Sequence, residues 1–252
     1  NPAAVVPLPE WLPDKVLLGM AAQHNLSETA FVVPREEGLF ELRWFTPGAE
    51  VELCGHATLA SAHVLSEHLG FQGDEVTFST RFSGELRAHY YDGAIELDFP
   101  SLNPQPYQPE PALIAALGVP IIAAAIPQVH PWKALYEVES EAVLRQVVPD
   151  FPAIAAAVDH AVILTARGER HDFVSRFFAP NLRVNEDPVT GSAHCVLTPY
   201  WAAKLGVTQL SAAQISTRGG VLKCVLAGDR VKLTGGCVTY AVGEIVESLE
   251  AG

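Results

Sequence analysis

Apolar and alternating runs at 29–33, 39–45, 161–165 and 172–178 read as strands. Each pair of runs leads through a proline-containing turn into a helical stretch. The first stretch, 57–68, carries Leu59, Ala62, His63 and Leu65 as a buried stripe, and the second covers 192–204. Both end in Leu-Gly, at 69–70 and 205–206, a helix stop through a left-handed glycine. Short strands are predicted after each helix, at 75–79, 85–91 and 94–99 and again at 213–217, 221–226 and 230–233. Ser83-Gly84, Asp92-Gly93 and Gly228-Asp229 mark the turns. Pro199 falls inside the second helix and is expected to kink or shorten it. The proline-rich stretch 100–111 reads as a linker. A final strand is predicted over 239–248, either in the second half or crossing back to the first.

The two halves repeat one another. Gly55 and Gly191 are 136 positions apart, as are Ala57 and Ala193, Leu69 and Leu205, Gly70 and Gly206, and Gly84 and Gly220. Upstream, Arg-Trp-Phe-Thr-Pro at 43–47 matches Arg-Phe-Phe-Ala-Pro at 176–180 with an offset of 133. Each pentapeptide is followed by an acidic residue, Glu50 or Glu186, and then by a glycine segment. An ordered run of matches points to an internal duplication. The expected fold is α+β: two pseudo-equivalent lobes, 1–103 and 104–252. Each would be a curved, mostly antiparallel sheet wrapped around a central helix, with a cleft between the lobes.

Composition narrows the function classes. Hydrophobic residues make up 49% of the 252, enough for a real core and against disorder. Sixteen basic against 29 acidic residues give a net charge of −13. That charge disfavours a nucleic-acid backbone or an anionic membrane as partner, but leaves room for a small anion in a locally positive pocket. No apolar run reaches the length of a membrane span. Cys54, Cys195, Cys224 and Cys237 show no Cys-x-x-Cys spacing, and they read as reduced thiols in a cytoplasmic protein.

Candidate chemistry gathers at the two helix starts. First-turn N–H groups and the helix dipole favour an anion, and Gly55 and Gly191 would let one approach. Two such starts facing one cleft would clamp a carboxylate. Glu28 sits where an apolar strand begins, flanked by small and hydroxyl residues. It reads either as an acid/base group in the cleft or as an ordinary turn glutamate. Glu186 and Asp187 precede the second helix, as cleft carboxylates or as complements to its dipole. Cys54 reads as a small residue packed at a helix start, and Cys195 as core. His63, His68, His89, His130, His160 and His171 lack metal-ligand spacing, and His194 reads either as part of the second clamp motif or as simply facing solvent. No metal is expected.

Five segments carry a family resemblance. They are Asn-Pro-Ala-Ala-Val at 1–5, Asn-Leu-Ser-Glu-Thr-Ala-Phe at 25–31, Arg-Trp-Phe-Thr-Pro at 43–47, Cys-Gly-His-Ala-Thr at 54–58 and Glu-Asp-Pro-Val-Thr-Gly-Ser-Ala-His at 186–194. Together they resemble the phenazine-biosynthesis PhzF-like family, whose fold is of the diaminopimelate-epimerase type. The resemblance places Glu28 at the catalytic glutamate, His56 and Asp187 at polar cleft positions, and Gly55, Gly191 and Ser192 at the backbone clamp for a substrate carboxylate. It implies a homodimer and proton transfer on a small carboxylate-bearing molecule, without metal or organic cofactor. It also implies a first strand ahead of the Asn-Pro-Ala motif, so the edge of the first sheet is expected to lack it. Related racemases use two cysteines; Cys54 has a counterpart there, but Pro188 stands where the second would be, which argues against a two-thiol mechanism. The expected activity is therefore a cofactor-independent isomerase. The alternative is a non-catalytic protein that binds a small ligand in the same cleft.

Overall fold

The computed structural model describes residues 1–245 apart from Asp92 and His130. The chain forms two compact units, one of Pro2–Asp98 with the segment from Thr234 onward, the other of Phe99–Leu233 with Asn1.

The N-terminal unit runs β1 (Ala3–Pro7), α1 (Asp14–His24), β2 (Glu28–Glu36), β3 (Leu39–Phe45), β4 (Glu50–Val51), α2 (Gly55–His68), β5 (Glu75–Thr80), β6 (Glu85–Tyr91) and β7 (Ala94–Pro100). Its strands pair in the order β1-β2-β3-β5-β6-β7, with β4 on β3. The C-terminal unit runs β8 (Pro104–Pro106), α3 (Pro111–Leu117), β9 (Ala123–Pro127), β10 (Lys133–Glu137), α4 (Glu141–Gln146), α5 (Phe151–Ala157), β11 (Ala161–Arg167), β12 (Phe173–Ala179), β13 (Val184–Asp187), α6 (Gly191–Leu205), β14 (Gln209–Gln214), β15 (Gly220–Ala227) and β16 (Arg230–Gly235). Its order is β16-β15-β14-β12-β11-β10-β9-β8, with β13 on β12.

Both units follow one plan. β2 and β3 are antiparallel, as are β11 and β12. β3 and β5 are parallel, as are β12 and β14, and the long helix lies in each crossover. A parallel pair cannot be closed by a tight turn, so α2 and α6 occupy the connections that the pairing demands. β1 with β2, and β10 with β11, are further parallel pairs with helices between them. The sheets are thus mixed but mostly antiparallel, as expected.

α6 is buried on nearly every side, with Ala193 through Pro199 all enclosed, and it packs on β8, β10, β14 and β15. α2 buries the small residues Ala57, Thr58, Ser61 and Ala62 together with Leu65. Buried hydroxyls in these helices bond back along the chain: Thr58 Oγ1 donates to Cys54 O at 2.7 Å and Ser61 Oγ to Ala57 O at 2.8 Å. Leu17, Met20, Phe31, Val33 and Phe45 form one apolar cluster of the N-terminal unit. Leu113, Tyr136, Leu144, Ile154, Val162, Leu164 and Phe178 are prominent in that of the other.

Four expectations are corrected. Pro199 does not shorten α6, which runs for 15 residues with the proline inside it. The carbonyl its missing N–H leaves open, Cys195 O, accepts the N–H of Leu102 at 3.0 Å instead. The stretch 100–111 is more than a linker, because β8 pairs with β9 there as an edge strand that tolerates proline. The predicted strand at 239–248 does not form over 239–245, and its last residues lie outside the described ones, as does the Asp92 half of the Asp92-Gly93 turn. The strand expected at 213–217 lies earlier, at Gln209–Gln214. It is fixed there by Asp172, whose carboxylate accepts from the N–H and hydroxyl of Ser211 at 2.8 and 3.0 Å.

The repeated arginine and glutamate have a common geometry. Arg43 on β3 grips Glu50 on β4 through two bonds of 2.7 Å. Arg176 on β12 grips Glu186 on β13 at 2.7 and 2.9 Å. All four side chains are at most 17% exposed, so these are bidentate, largely desolvated pairs. Removing one partner strands the other charge. Arg176→Met is expected to lower unfolding stability by about 3 kcal/mol, read as a shifted urea midpoint at unchanged slope; an unchanged midpoint contradicts the clamp.

Candidate active site

Glu28 opens β2, and Cys54 is the N-cap residue of α2, with His56 in its first turn. The three side chains converge. His56 Nε2 lies 3.2 Å from Glu28 Oε2, and His56 Nδ1 lies 3.5 Å from Cys54 Sγ. The imidazole therefore stands between a thiol and a carboxylate. The 3.2 Å pair is within ion-pairing range but is not aligned as a hydrogen bond. Both Glu28 Oε2 and His56 Nε2 are buried without a hydrogen-bond partner among the described residues. Burial disfavours the imidazolium, but the Cys54 sulfur and then the Glu28 carboxylate outweigh it and hold His56 above the ordinary histidine range. Burial also pushes the Cys54 thiol up, against the pull of the neighbouring His56. One donor atom each from Glu28, Cys54 and His56 lies within 4.8 Å of the others, so this cluster could hold a metal ion, a capacity that sequence spacing did not suggest.

The second cluster belongs to the C-terminal unit. Asp187 ends β13; its Oδ2 accepts from Thr190 Oγ1 at 2.5 Å and its Oδ1 from Asn1 Nδ2 at 2.9 Å. Gln214, fully buried, braces the same turn. Its Nε2 donates to Asp187 O at 2.8 Å, and its Oε1 accepts the Thr190 N–H at 2.8 Å. Gly220 is needed for close approach, since a Cβ there would come within 2.3 Å of Val189 Cγ2. Ser216 Oγ donates to Pro188 O at 2.9 Å. The turn that delivers Gly191 to the start of α6 is thus held from several sides.

Both helix starts are free of side-chain caps. Ser140 and Asp150 cap α4 and α5 in the usual way, by accepting from Val143 N at 3.2 Å and Ala153 N at 3.0 Å. Neither Cys54 nor Thr190 caps its helix with its side chain. First-turn N–H groups at Gly55 and at Gly191-Ser192 therefore carry the partial positive charge of an uncapped helix. Lys133 adds a formal charge beside α6. It is 1% exposed, its Nζ lies 3.3 Å from Ser192 O and 3.7 Å from the Trp132 ring centroid, and burial lowers it to about 8. Nothing in the sequence pattern singled out Lys133 or Gln214.

His194 corrects an expectation. It is fully buried against Phe173, with Nδ1 at 2.8 Å from Thr190 O. A carbonyl can only accept, so Nδ1 carries the proton and the ring is neutral. Burial lowers His194 to about 4. Cys195 is buried, as expected. His24 bonds Thr29 Oγ1 through Nδ1 at 3.0 Å.

The family model described as phenazine biosynthesis-like protein matches residues 1–243. An uncharacterized isomerase of Pseudomonas aeruginosa is 49% identical over 97% of this chain and 92% of its own. An uncharacterized isomerase of Halalkalibacterium halodurans is 44% identical over 98% and 92%. Among solved structures, a phenazine biosynthesis protein of the PhzF family from Enterococcus faecalis superposes with a TM-score of 0.91 at 42% identity, covering 96% of this chain and 91% of that one.

The neutral His194 makes a pH prediction. Its folded value lies below the unfolded one near 6.5, so the unfolded chain binds the extra proton first. Stability from this residue is complete above about 6.5 and is lost as pH falls toward 4. Relative to His194→Gln, the wild type is expected to lose up to about 3 kcal/mol across that window, measured by urea unfolding at several pH values. A difference independent of pH contradicts a buried neutral ring.

Proposed function

We propose that this chain, which belongs to the phenazine biosynthesis-like protein family, is a cofactor-independent isomerase that moves a proton on a small carboxylate-bearing substrate. Its relatives' names support an isomerase-type activity. The observation that carries the finer reading is the Glu28–His56 pair. Two buried polar atoms 3.2 Å apart, neither with a hydrogen-bond partner among the described residues, form an acid/base pair whose hydrogen-bonding capacity is left for a third body.

In this reading Glu28 takes a proton from carbon and returns it to another carbon on the same face, so that one carboxylate serves both steps and nothing is consumed. The imidazolium of His56, beside it, stabilises the charge that develops on the substrate between the two transfers. The uncapped N–H groups at Gly55, Gly191 and Ser192 bind the substrate carboxylate, and the Lys133 ammonium strengthens the field at the α6 start. Asp187, oriented by Thr190 and Asn1, holds a polar substituent. This requires the two helix starts to face one cleft. The reading treats the two units as copies of one duplicated element, and includes a homodimer in the cytoplasm. A light-scattering mass of two chains would support the dimer.

Glu28→Gln keeps size and polarity but cannot carry the proton. With a ligand recovered from a metabolite pool by mass spectrometry, the variant is expected to keep affinity within a few-fold and to lose about 10²–10⁴ in turnover. In deuterated water the wild type is expected to wash deuterium into that ligand and Glu28→Gln to wash in almost none. Full exchange by Glu28→Gln would remove Glu28 from the proton transfer, and no exchange by the wild type would replace this reading with that of a non-catalytic binding protein.

A further inference from the structure

Thiol, imidazole and carboxylate are the three side-chain types that zinc takes, and Glu28, Cys54 and His56 supply one of each within 4.8 Å. The spacing fits more closely than that bound requires. With Zn–S about 2.3 Å and Zn–N about 2.0 Å, the sulfur–nitrogen edge of a tetrahedral site is about 3.5 Å. Cys54 Sγ and His56 Nδ1 are 3.5 Å apart. We propose that Cys54 and His56, with Glu28 as third ligand, form a zinc site that holds the acid/base pair in an inactive, metal-bound form.

The two anchoring residues are pre-positioned. They lie two apart at the start of α2, where Cys54 O accepts both the N–H and the hydroxyl of Thr58 at 3.1 and 2.7 Å. Glu28 must close the remaining gap by turning its carboxylate toward the sulfur. Its Oε2 makes no hydrogen bond with the described residues that this turn would break. Access is through Glu28 and His56, whose side chains are 19% and 18% exposed, while Cys54 lies beneath them. Binding releases the Cys54 thiol proton and the extra proton of His56. The thiolate and the Glu28 carboxylate then balance the charge of the ion, and water fills the fourth position. Magnesium and calcium prefer all-oxygen sets and fit poorly. The inhibitory role rests on the proton-transfer reading above; the binding site does not.

Cobalt(II) titration of the whole chain tests the site directly, because a cobalt–thiolate bond gives a charge-transfer band. The expected result is one equivalent of tetrahedral cobalt with that band, displaced by zinc. Cys54→Ser is expected to lose the band and to weaken zinc by about tenfold or more in competition with a chromophoric chelator. Glu28→Gln should keep the band and bind zinc more weakly. The exposed pair His63 and His68, both bonded to Thr239 Oγ1 at 2.9 and 2.8 Å, is the competing location; His63→Gln with His68→Gln should leave the band and the affinity unchanged. A wild type without stoichiometric metal, a band that survives Cys54→Ser, or zinc binding lost in the His63/His68 variant would each overturn the site. If Cys54→Ser does not fold, the band in the wild type and its response to Glu28→Gln still decide. Deuterium exchange that continues in zinc-loaded wild type would overturn the inhibitory role alone.

Discussion

An arginine on a long strand, gripping a glutamate on a short one, sets the approach to each helix start. Arg43 and Glu50 tie β4 to β3, and Arg176 and Glu186 tie β13 to β12. The chain beyond each pair has only a few residues in which to reach its helix, so the clamp fixes where α2 and α6 begin. Planar guanidinium and carboxylate meet through two parallel bonds, which specifies orientation as well as attraction. Lysine in place of either arginine would keep the charge and lose that direction. Gln214 and Gly220 then refine the second turn, where the backbone passes too close to Val189 for any side chain at position 220.

What these anchors deliver is positive potential in a protein of net charge −13. Helix starts that lack side-chain caps forgo about 1 kcal/mol each, a cost that α4 and α5 avoid with Ser140 and Asp150. The His56 imidazolium sits at one uncapped start and the Lys133 ammonium beside the other. A surface rich in carboxylates repels anions at long range, but salt screens that repulsion within about 10 Å. Buried cations and oriented N–H groups act inside that distance. Local charge, not net charge, therefore governs what these positions can hold.

The two units share a plan and differ in chemistry. In the N-terminal unit an imidazole stands between a thiol and a carboxylate. In the C-terminal unit the positions before the helix hold Asp187 and Pro188, and the first turn holds a neutral buried histidine, His194, directed at its own backbone. A residue before α2 can ionise and exchange protons; Pro188 cannot. The same scaffold thus carries titrating groups in one unit and hydrogen-bonding and electrostatic groups in the other.

Much of this was legible in the sequence, because it rests on local rules. The period of apolar residues located α2, α6 and most strands after them; the Leu-Gly stops marked the helix ends; and an arginine followed by a glutamate, Arg43 then Glu50 and again Arg176 then Glu186, marked the segments that lead into the helices. Glu28, His56, Asp187 and the glycines were nameable from their motifs. Tertiary structure decided what depends on distant partners. Pro199 is tolerated because Leu102, far away in sequence, takes the carbonyl it leaves open. Prolines around 104–106 form an edge strand because β9 offers a partner. His194 is buried because α6 is enclosed by strands from across its unit. Cys54 and His56 are near neighbours in the chain, but the carboxylate facing their ring comes from another element, at the start of β2. Propensity and periodicity act over a few residues and can be read there; burial and pairing depend on where the rest of the chain goes, and only the folded chain fixes that.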